Sequence, residues 1–557
     1  MKFGKSLSAL VTLLVFSYFF VLPIQNSGEE AVIVQADSVE LARQLVLDYG
    51  GQIDEQLPIV SSVAATIPAH RLQALNADKR LVSVVRDASV TLSARDDEEL
   101  LNGFRDFVVE FPQVVGADQA WDQGVDGSDI TVAVVDTGIG LSIMPWQIKA
   151  RYDALDSGSP SNDPNGHGTF IAGIIGNQRR DSNFNPVSIA PRTDFVDVRV
   201  LDNEGKGTYS DVLEGLNWIL ENHEIHNIRI VNLSLVGGIT GPYWADPINQ
   251  AVEALWDAGL VVVVAAGNGG SDPLTIASPG NDPFVITVGA FTDNYTPEDD
   301  SDDYIAPFSG AGPTETGFVK PDVVAPGAHI ISMAPPFSAW AQEHPETHVF
   351  GNYYQSAGTS AAAGVVSGIV ALMLDENPEM TPDQVKYALM ASSRAAVGDD
   401  GDLTWSIFQQ GAGRVWTPDA VFEDYGGLEA NGDMVSGEPY VGPVVYLDGA
   451  FQMVNEAGEI IPEASSYHWT GTYHWTGTYH WTGSYHWTGS YHWTGGYQWT
   501  GTTDWEQPEE GDAWISGYYW LNSYHWTGSY HWTGGYEWAG SYHWTGSYHW
   551  TGLTFDE

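Results

Sequence analysis

The chain predicts an α/β fold: a mostly parallel sheet with helices on both faces, preceded by a small α+β unit and followed by a β-type repetitive tail. Three observations carry this. Between residues 114 and 422, β-branched apolar runs such as 130–135 and 260–264 alternate with helical stretches, the pattern of strand-helix-strand units. Residues 29–95 read as β-α-β-β-α-β from their alternation and turn signals. From Tyr467 onward a six-residue phrase, Tyr-His-Trp-Thr-Gly-Ser/Thr, recurs to the end. At 557 residues the chain is expected to hold several domains.

In chain order, residues 1–28 place Lys2 and Lys5 before an apolar run from Leu7 to Ile24, the layout of an export signal. In the unit 29–95, residues 31–36 form a strand, 39–49 a helix ending at the Gly50 turn, 61–68 a strand, 70–78 a second helix and 81–92 further strand. Residues 96–113 open on the acidic run Asp96-Asp97-Glu98-Glu99 and read as an exposed linker. Residues 423–466 are rich in Gly, Pro and acid, a second linker whose apolar patch at 440–451 suits a hairpin or edge strand.

The segment 114–422 carries the chemistry. The run 130–135 ends in Asp136-Thr137-Gly138, so a buried strand delivers a carboxylate at its C-terminal end. Asn165-Gly166-His167-Gly168-Thr169 precedes apolar IAGII, placing His167 in the first turn of a helix. Gly358-Thr359-Ser360 enters a long small-and-apolar run, placing Ser360 at the start of another. A serine hydroxyl is a weak nucleophile at neutral pH and needs an adjacent base. A neutral imidazole at His167 takes its proton and later gives it to a leaving amine, while Asp136 fixes the imidazole tautomer. A fourth group is needed for the oxyanion, and Asn268, after the strand run 260–264, has an amide N–H to donate beside the backbone N–H of Ser360. Each phrase alone is common loop chemistry, but the ordered set points to peptide-bond hydrolysis.

These phrases, with 188–218, 230–238, 285–290, 320–327 and 411–415, resemble the subtilisin-like serine proteases over residues 114–421. The resemblance implies that Lys206-Gly207-Thr208 and Ser234-Leu235-Val236 are the edges clamping an extended polypeptide substrate, by strand addition. It also implies that 29–95 is an inhibitory propeptide acting on its own catalytic domain, removed by cleavage between 93 and 113. An unrelated ferredoxin-like binding domain is the alternative for that unit. Structural Ca2+ is a further implication. The acidic clusters at 295–304 and 399–402 offer hard oxygen ligands, although most such runs are solvated loops. Two departures from the family pattern are Phe170, where a second histidine is usual, and Gly364, where a proline is usual and where glycine would loosen the nucleophile's helix.

Acidic residues number 72 against 21 basic ones, a net charge of −51, which argues against nucleic acid as a partner. The absence of cysteine excludes a thiol protease and any disulfide. In the tail 467–557, tryptophan recurs every six residues from Trp469 to Trp505 and again from Trp514 to Trp550, two blocks of seven repeats. An even repeat suits strands, with Tyr and Trp on one face and His and Thr on the other. Such a tail is a self-stacking spacer, a glycan or cell-surface binder through its rings, or a metal binder through residues such as His468 and His474. The whole reads as a secreted serine endopeptidase made as a zymogen. Its rival is a surface-binding protein with a vestigial protease domain.

Overall fold

The computed structural model describes residues 28–93, 107–140, 145–155, 162–239, 241–297, 299–397, 404–432, 434–447 and 450–454, with short strands between 467 and 551. The expected export signal, the run 94–106 and the acidic cluster 399–402 lie outside the described residues.

The N-terminal unit comprises β1 (Glu29–Ala36), α1 (Val39–Asp48), β2 (Gln52–Leu57), β3 (Ser62–Pro68), α2 (Ala69–Asn76) and β4 (Leu81–Arg86). Its antiparallel sheet has the order β2-β3-β1-β4. Val32, Val34, Val63, Ala65 and Ile67 face a small core with Leu45 and Val46 of α1, as period-two alternation requires. After β4 the chain does not fold back. It continues as β5 (Ser89–Leu92), which pairs with the next unit.

The second unit is built on a sheet of β6 (Thr131–Asp136), β7 (Ile148–Asp153), β8 (Asp194–Arg199), β10 (Ile228–Leu233), β12 (Val261–Ala265), β13 (Ile286–Thr292), β14 (Tyr304–Ile305) and β15 (Val323–Pro326). The order is β14-β13-β12-β10-β6-β8-β7, with β15 also beside β13. Every pairing is parallel except β13 with β14. Two short edge strands, β9 (Lys206–Thr208) and β11 (Leu235–Gly237), stand apart from it. Of the helices, α3 (His167–Ile175) packs on α6 (Thr359–Glu376), and α6 covers β10, β12, β13 and β15. The pair α4 (Tyr209–His226) and α5 (Pro247–Asp257) covers β6, β7, β10 and β12. Strands such as β6 and β12 are buried at every position because helices on both faces leave none exposed. Helix α6 is long and apolar enough to cross a membrane, yet 89% of it is buried here; a helix apolar all round is a core helix when a sheet and a second helix enclose it.

Two boundaries move. The linker expected to reach residue 113 ends earlier, since Val109 and Phe111 are buried in the main core. The second linker is partly docked: Ala430 and Asn431 are buried, and a hairpin of Val444–Leu447 and Ala450–Met453 forms at the expected 440–451 patch, running two residues beyond it.

The docked segment touches a buried carboxyl pair. Gly437 donates its N–H to Glu253 on α5, and Glu253 faces the carboxyl of Asp282. Burial raises both carboxyls, Glu253 to about 7, with Asp282 raised further by Glu253 itself. Glu253 Oε1 and Asp282 Oδ2 have no donor among the described residues, so a shared proton is what satisfies them. A raised carboxyl stabilises the fold fully below its ordinary value and loses that contribution as pH rises through its folded value. Stability is therefore expected to fall between about pH 4.5 and 7, and Glu253→Gln to flatten that slope in thermal melts recorded across the range. An unchanged slope would exclude the shared proton.

The tail forms one short strand per repeat, of four residues except for the three of Thr503–Trp505. Each pairs in parallel with a strand three repeats away: Tyr467 with Tyr485, Tyr473 with Tyr491, Tyr479 with Tyr497. Three strands thus make one rung, and rungs stack with like residues in register. Across the longer step between the two blocks the repeat register holds, with Trp499 opposite Trp520.

Candidate active site

The parallel sheet delivers its functional groups at strand ends, where ligands bind in folds of this kind. Asp136 closes β6 and is fully buried. His167 opens α3 after Gly166, whose φ of +110 turns the chain into the helix. Ser360 is the second residue of α6. The structure brings the three together: His167 Nδ1 lies 2.9 Å from both Asp136 oxygens, and His167 Nε2 lies 3.1 Å from Ser360 Oγ. Asp136 Oδ1 also accepts from Thr137 N–H at 2.7 Å. Gly168 permits this approach, since a Cβ there would sit 2.2 Å from the Gly138 carbonyl oxygen.

Asn268 follows β12. Its Oδ1 accepts from Thr359 N–H at 3.0 Å and from the Thr359 hydroxyl at 2.9 Å, which orients the amide. Its Nδ2 is shut off from solvent and has no acceptor among the described residues. An orphaned buried donor beside the nucleophile is what oxyanion stabilisation needs.

The edges Lys206-Gly207-Thr208 and Ser234-Leu235-Val236 flank a strand already in place. β5 pairs antiparallel with β9 on one side, Val90 opposite Gly207, and with β11 on the other, Leu92 opposite Leu235 and Thr91 opposite Val236. Ser93 continues the strand, donating its N–H to the Ser234 carbonyl at 3.2 Å. Its own carbonyl oxygen accepts the Ser360 N–H at 3.3 Å. Asp87 holds the approach: its carboxylate accepts from Ser210 N–H at 2.9 Å and Ser210 Oγ at 2.7 Å, a negative charge at the positive end of α4.

Sequence reasoning missed three supporting groups. Asp163, fully buried, accepts from Thr137 Oγ1 and Gly166 N–H at 2.8 Å, from Thr169 N–H at 2.9 Å and from Thr169 Oγ1. It ties the Asp136 turn to the His167 helix, although burial pushes its carboxyl upward against those bonds. The available signal was an aspartate four residues before the histidine. Thr359 is the second. Asn232 is the third: it donates to Ser234 Oγ at 2.9 Å, and that hydroxyl donates to the Ser360 carbonyl at 3.1 Å.

Both departures have local reasons. Phe170 is buried with its ring edge-on to Trp340, centroids 5.3 Å apart. Gly364 does not break α6, which runs unbroken from Thr359 to Glu376. A Cβ at 364 would meet Ile174 of α3 at 3.3 Å, so glycine lets the nucleophile's helix lie close on the histidine's helix.

The cluster 295–304 does not fit calcium as it stands. Asp300 and Asp303 pair with Arg414, and Asp302 accepts from Asn294 and Thr296. Among the described residues no group of three or more His, Cys, Asp or Glu could hold a metal ion.

Comparison with known proteins agrees with this architecture. Residues 127–413 match the model of the subtilase family. The serine protease AprX of Bacillus subtilis is 42% identical over 274 residues, covering 48% of this chain and 62% of AprX, so the chain spans less than two thirds of that relative. Subtilisin DY of Bacillus licheniformis is 31% identical over 289 residues, covering 51% of this chain and 91% of that protein. Among solved structures, fervidolysin from Fervidobacterium pennivorans, a keratinolytic enzyme related to subtilisin, shares the fold with a TM-score of 0.55 at 23% identity, covering 72% of this chain and 62% of its own. With half its length matched by the family model and the parallel sheet in place, the chain belongs to the subtilase family of serine-type endopeptidases.

Proposed function

We propose that the chain is a secreted serine endopeptidase, made as a zymogen, that cleaves polypeptides through Ser360, His167 and Asp136. The observation carrying this reading is the imidazole of His167, placed within hydrogen-bond distance of both the Asp136 carboxylate and the Ser360 hydroxyl. Ser360 Oγ attacks the substrate carbonyl as His167 Nε2 takes its proton. The oxyanion is held by Ser360 N–H and Asn268 Nδ2. His167 then protonates the leaving amine, and a water activated by the same imidazole releases the acyl group. Gly207, Ser234, Leu235 and Val236 hold the substrate as the middle strand of three. A serine-directed fluorophosphonate tests the reading: it is expected to label the wild-type chain and not Ser360→Ala, and a wild type that resists labelling would refute it.

Residues 29–93 are proposed as the inhibitory propeptide, supported by β5 occupying the position a substrate would take. Residues 1–28 are proposed as the export signal, and structural calcium is proposed at oxygen ligands other than the cluster 295–304. The aromatic tail 467–557 is proposed to bind insoluble glycan at the cell surface, since its paired strands bring Tyr opposite Tyr and Trp opposite Trp, and aromatic residues suit sugar faces. Full-length protein is expected to be retained on insoluble polysaccharide and a form ending at residue 466 to pass through; equal behaviour would leave the tail a spacer.

A further inference from the structure

Lying between β9 and β11, β5 sits where a substrate strand would, so its side chains report what the cleft accepts. With the Ser93 carbonyl at the Ser360 N–H, Ser93 is the acyl-side residue of the bond presented for cleavage, and Val90 lies three positions before it. Ser89 and Thr91 are exposed and Leu92 is half-buried, whereas Val90 is 0% and Ser93 1% exposed. The cleft therefore encloses two side chains of this segment fully. Resting on the serine-endopeptidase reading above, we propose that the site selects a short hydroxyl residue on the acyl side of the cleaved bond and a branched apolar residue three positions earlier, and that the precursor is cut on the carboxyl side of Ser93.

The hydroxyl preference follows from proton accounting around Thr359. Ser93 Oγ lies 2.7 Å from Thr359 Oγ1. The single Thr359 hydroxyl proton is directed to Asn268 Oδ1 at 2.9 Å, and Thr359 Oγ1 itself accepts Gly267 N–H at 3.2 Å. Thr359 Oγ1 is left as an acceptor, which makes Ser93 the donor. Thr359 is thus a positioning residue: it reads the substrate hydroxyl with a lone pair and holds the oxyanion amide with its proton. At the other enclosed position, Val90 stands opposite Gly207 and Gly237 and joins the main hydrophobic core. A charge placed there would be buried without a partner.

Cleavage balances without any added reagent but water. The Ser360 Oγ–carbon bond forms as the bond from the Ser93 carbonyl to the next nitrogen breaks. His167 carries the serine proton to that nitrogen, and hydrolysis leaves a carboxylate on Ser93 and a restored hydroxyl on Ser360.

The experiment combines N-terminal sequencing of the first matured product with kcat/KM measured on synthetic peptides containing Val-Thr-Leu-Ser-Ala. Variants carry Ala or Phe in place of the Ser, or Asp in place of the Val. The matured chain is expected to begin Ala94-Arg95-Asp96. Ser is expected to be preferred over Ala by about tenfold, the scale of one hydrogen bond, and Asp at the Val position to cost at least about a hundredfold. Thr359→Val should erase the Ser-over-Ala ratio while Thr359→Ser keeps it, a pattern that mere loosening of the loop would not produce. A first terminus elsewhere, a preference for Phe, or a Ser-over-Ala ratio untouched by Thr359→Val would overturn the inference and leave the endopeptidase reading standing. No hydrolysis of any peptide, with no fluorophosphonate labelling, would overturn both.

Discussion

Ser360→Ala is expected to remain an uncleaved precursor, with kcat/KM toward any peptide reduced by about six orders of magnitude, the scale known when a triad serine is removed from subtilisin. The physical reason is that the substitution removes the hydroxyl that lies 3.1 Å from His167 Nε2, the proposed nucleophile with its base. Ser93 oxygen is held by the Ser360 N–H, and that backbone donor survives the substitution, so binding is retained while the nucleophile is lost. Gel mobility of the full chain and single-turnover assays measure both halves. Asn268→Leu supplies the graded comparison. It keeps the nucleophile and removes one oxyanion donor, so turnover is expected to fall by about two to three orders with KM little changed, a range known for such donors, subtilisin's included. Equal loss in the two variants would mean that the fold, and not the chemistry, had been damaged.

Asp136→Asn is expected to lower kcat by about four orders while leaving the folded structure intact. Asp136 Oδ1 accepts from Thr137 N–H, and both oxygens face His167 Nδ1. An asparagine that keeps its oxygen on the Thr137 N–H turns its amide N–H toward Nδ1. The ring must then accept at Nδ1 and carry its proton on Nε2, where it faces the Ser360 hydroxyl as a donor and cannot act as base. Because the amide is nearly isosteric, melting temperature and the pairing of β5 with β9 and β11 should be preserved. A variant with near wild-type kcat would show that His167 does not depend on this carboxylate for its tautomer.

Much of the architecture was legible along the chain because burial on two faces writes continuous β-branched runs. The stretches at 130–135 and 260–264 became β6 and β12, buried at every position. Asp136, His167, Ser360 and Asn268 were legible because each sits where a regular element meets a loop, so pattern and residue type coincide. The supporting groups were not. Asp163 lies in an irregular loop at φ +48, and the hydrogen bonds it accepts come from Thr137 after β6 and from Gly166 and Thr169 at the start of α3. Gly364 suggested a loosened helix, whereas its function is interhelical contact with Ile174, a residue nearly two hundred positions away. The six-residue phrase announced strands, but its pairing with the third repeat along, and not the next, depends on how many strands close one rung.

The sequence by itself determined the element types, the place of Asp136, His167 and Ser360 at element ends and the periodic tail, since these depend on local propensity and on alternation between water and core. Only the tertiary structure decided that β5 leaves its own unit to become the middle strand between β9 and β11, and that Ser93 meets Thr359 and Ser360. Strand addition is made by backbone hydrogen bonds, which every residue type can form and no composition reveals. The side chains that then matter are those the neighbouring strands enclose, and enclosure is a property of the assembled fold.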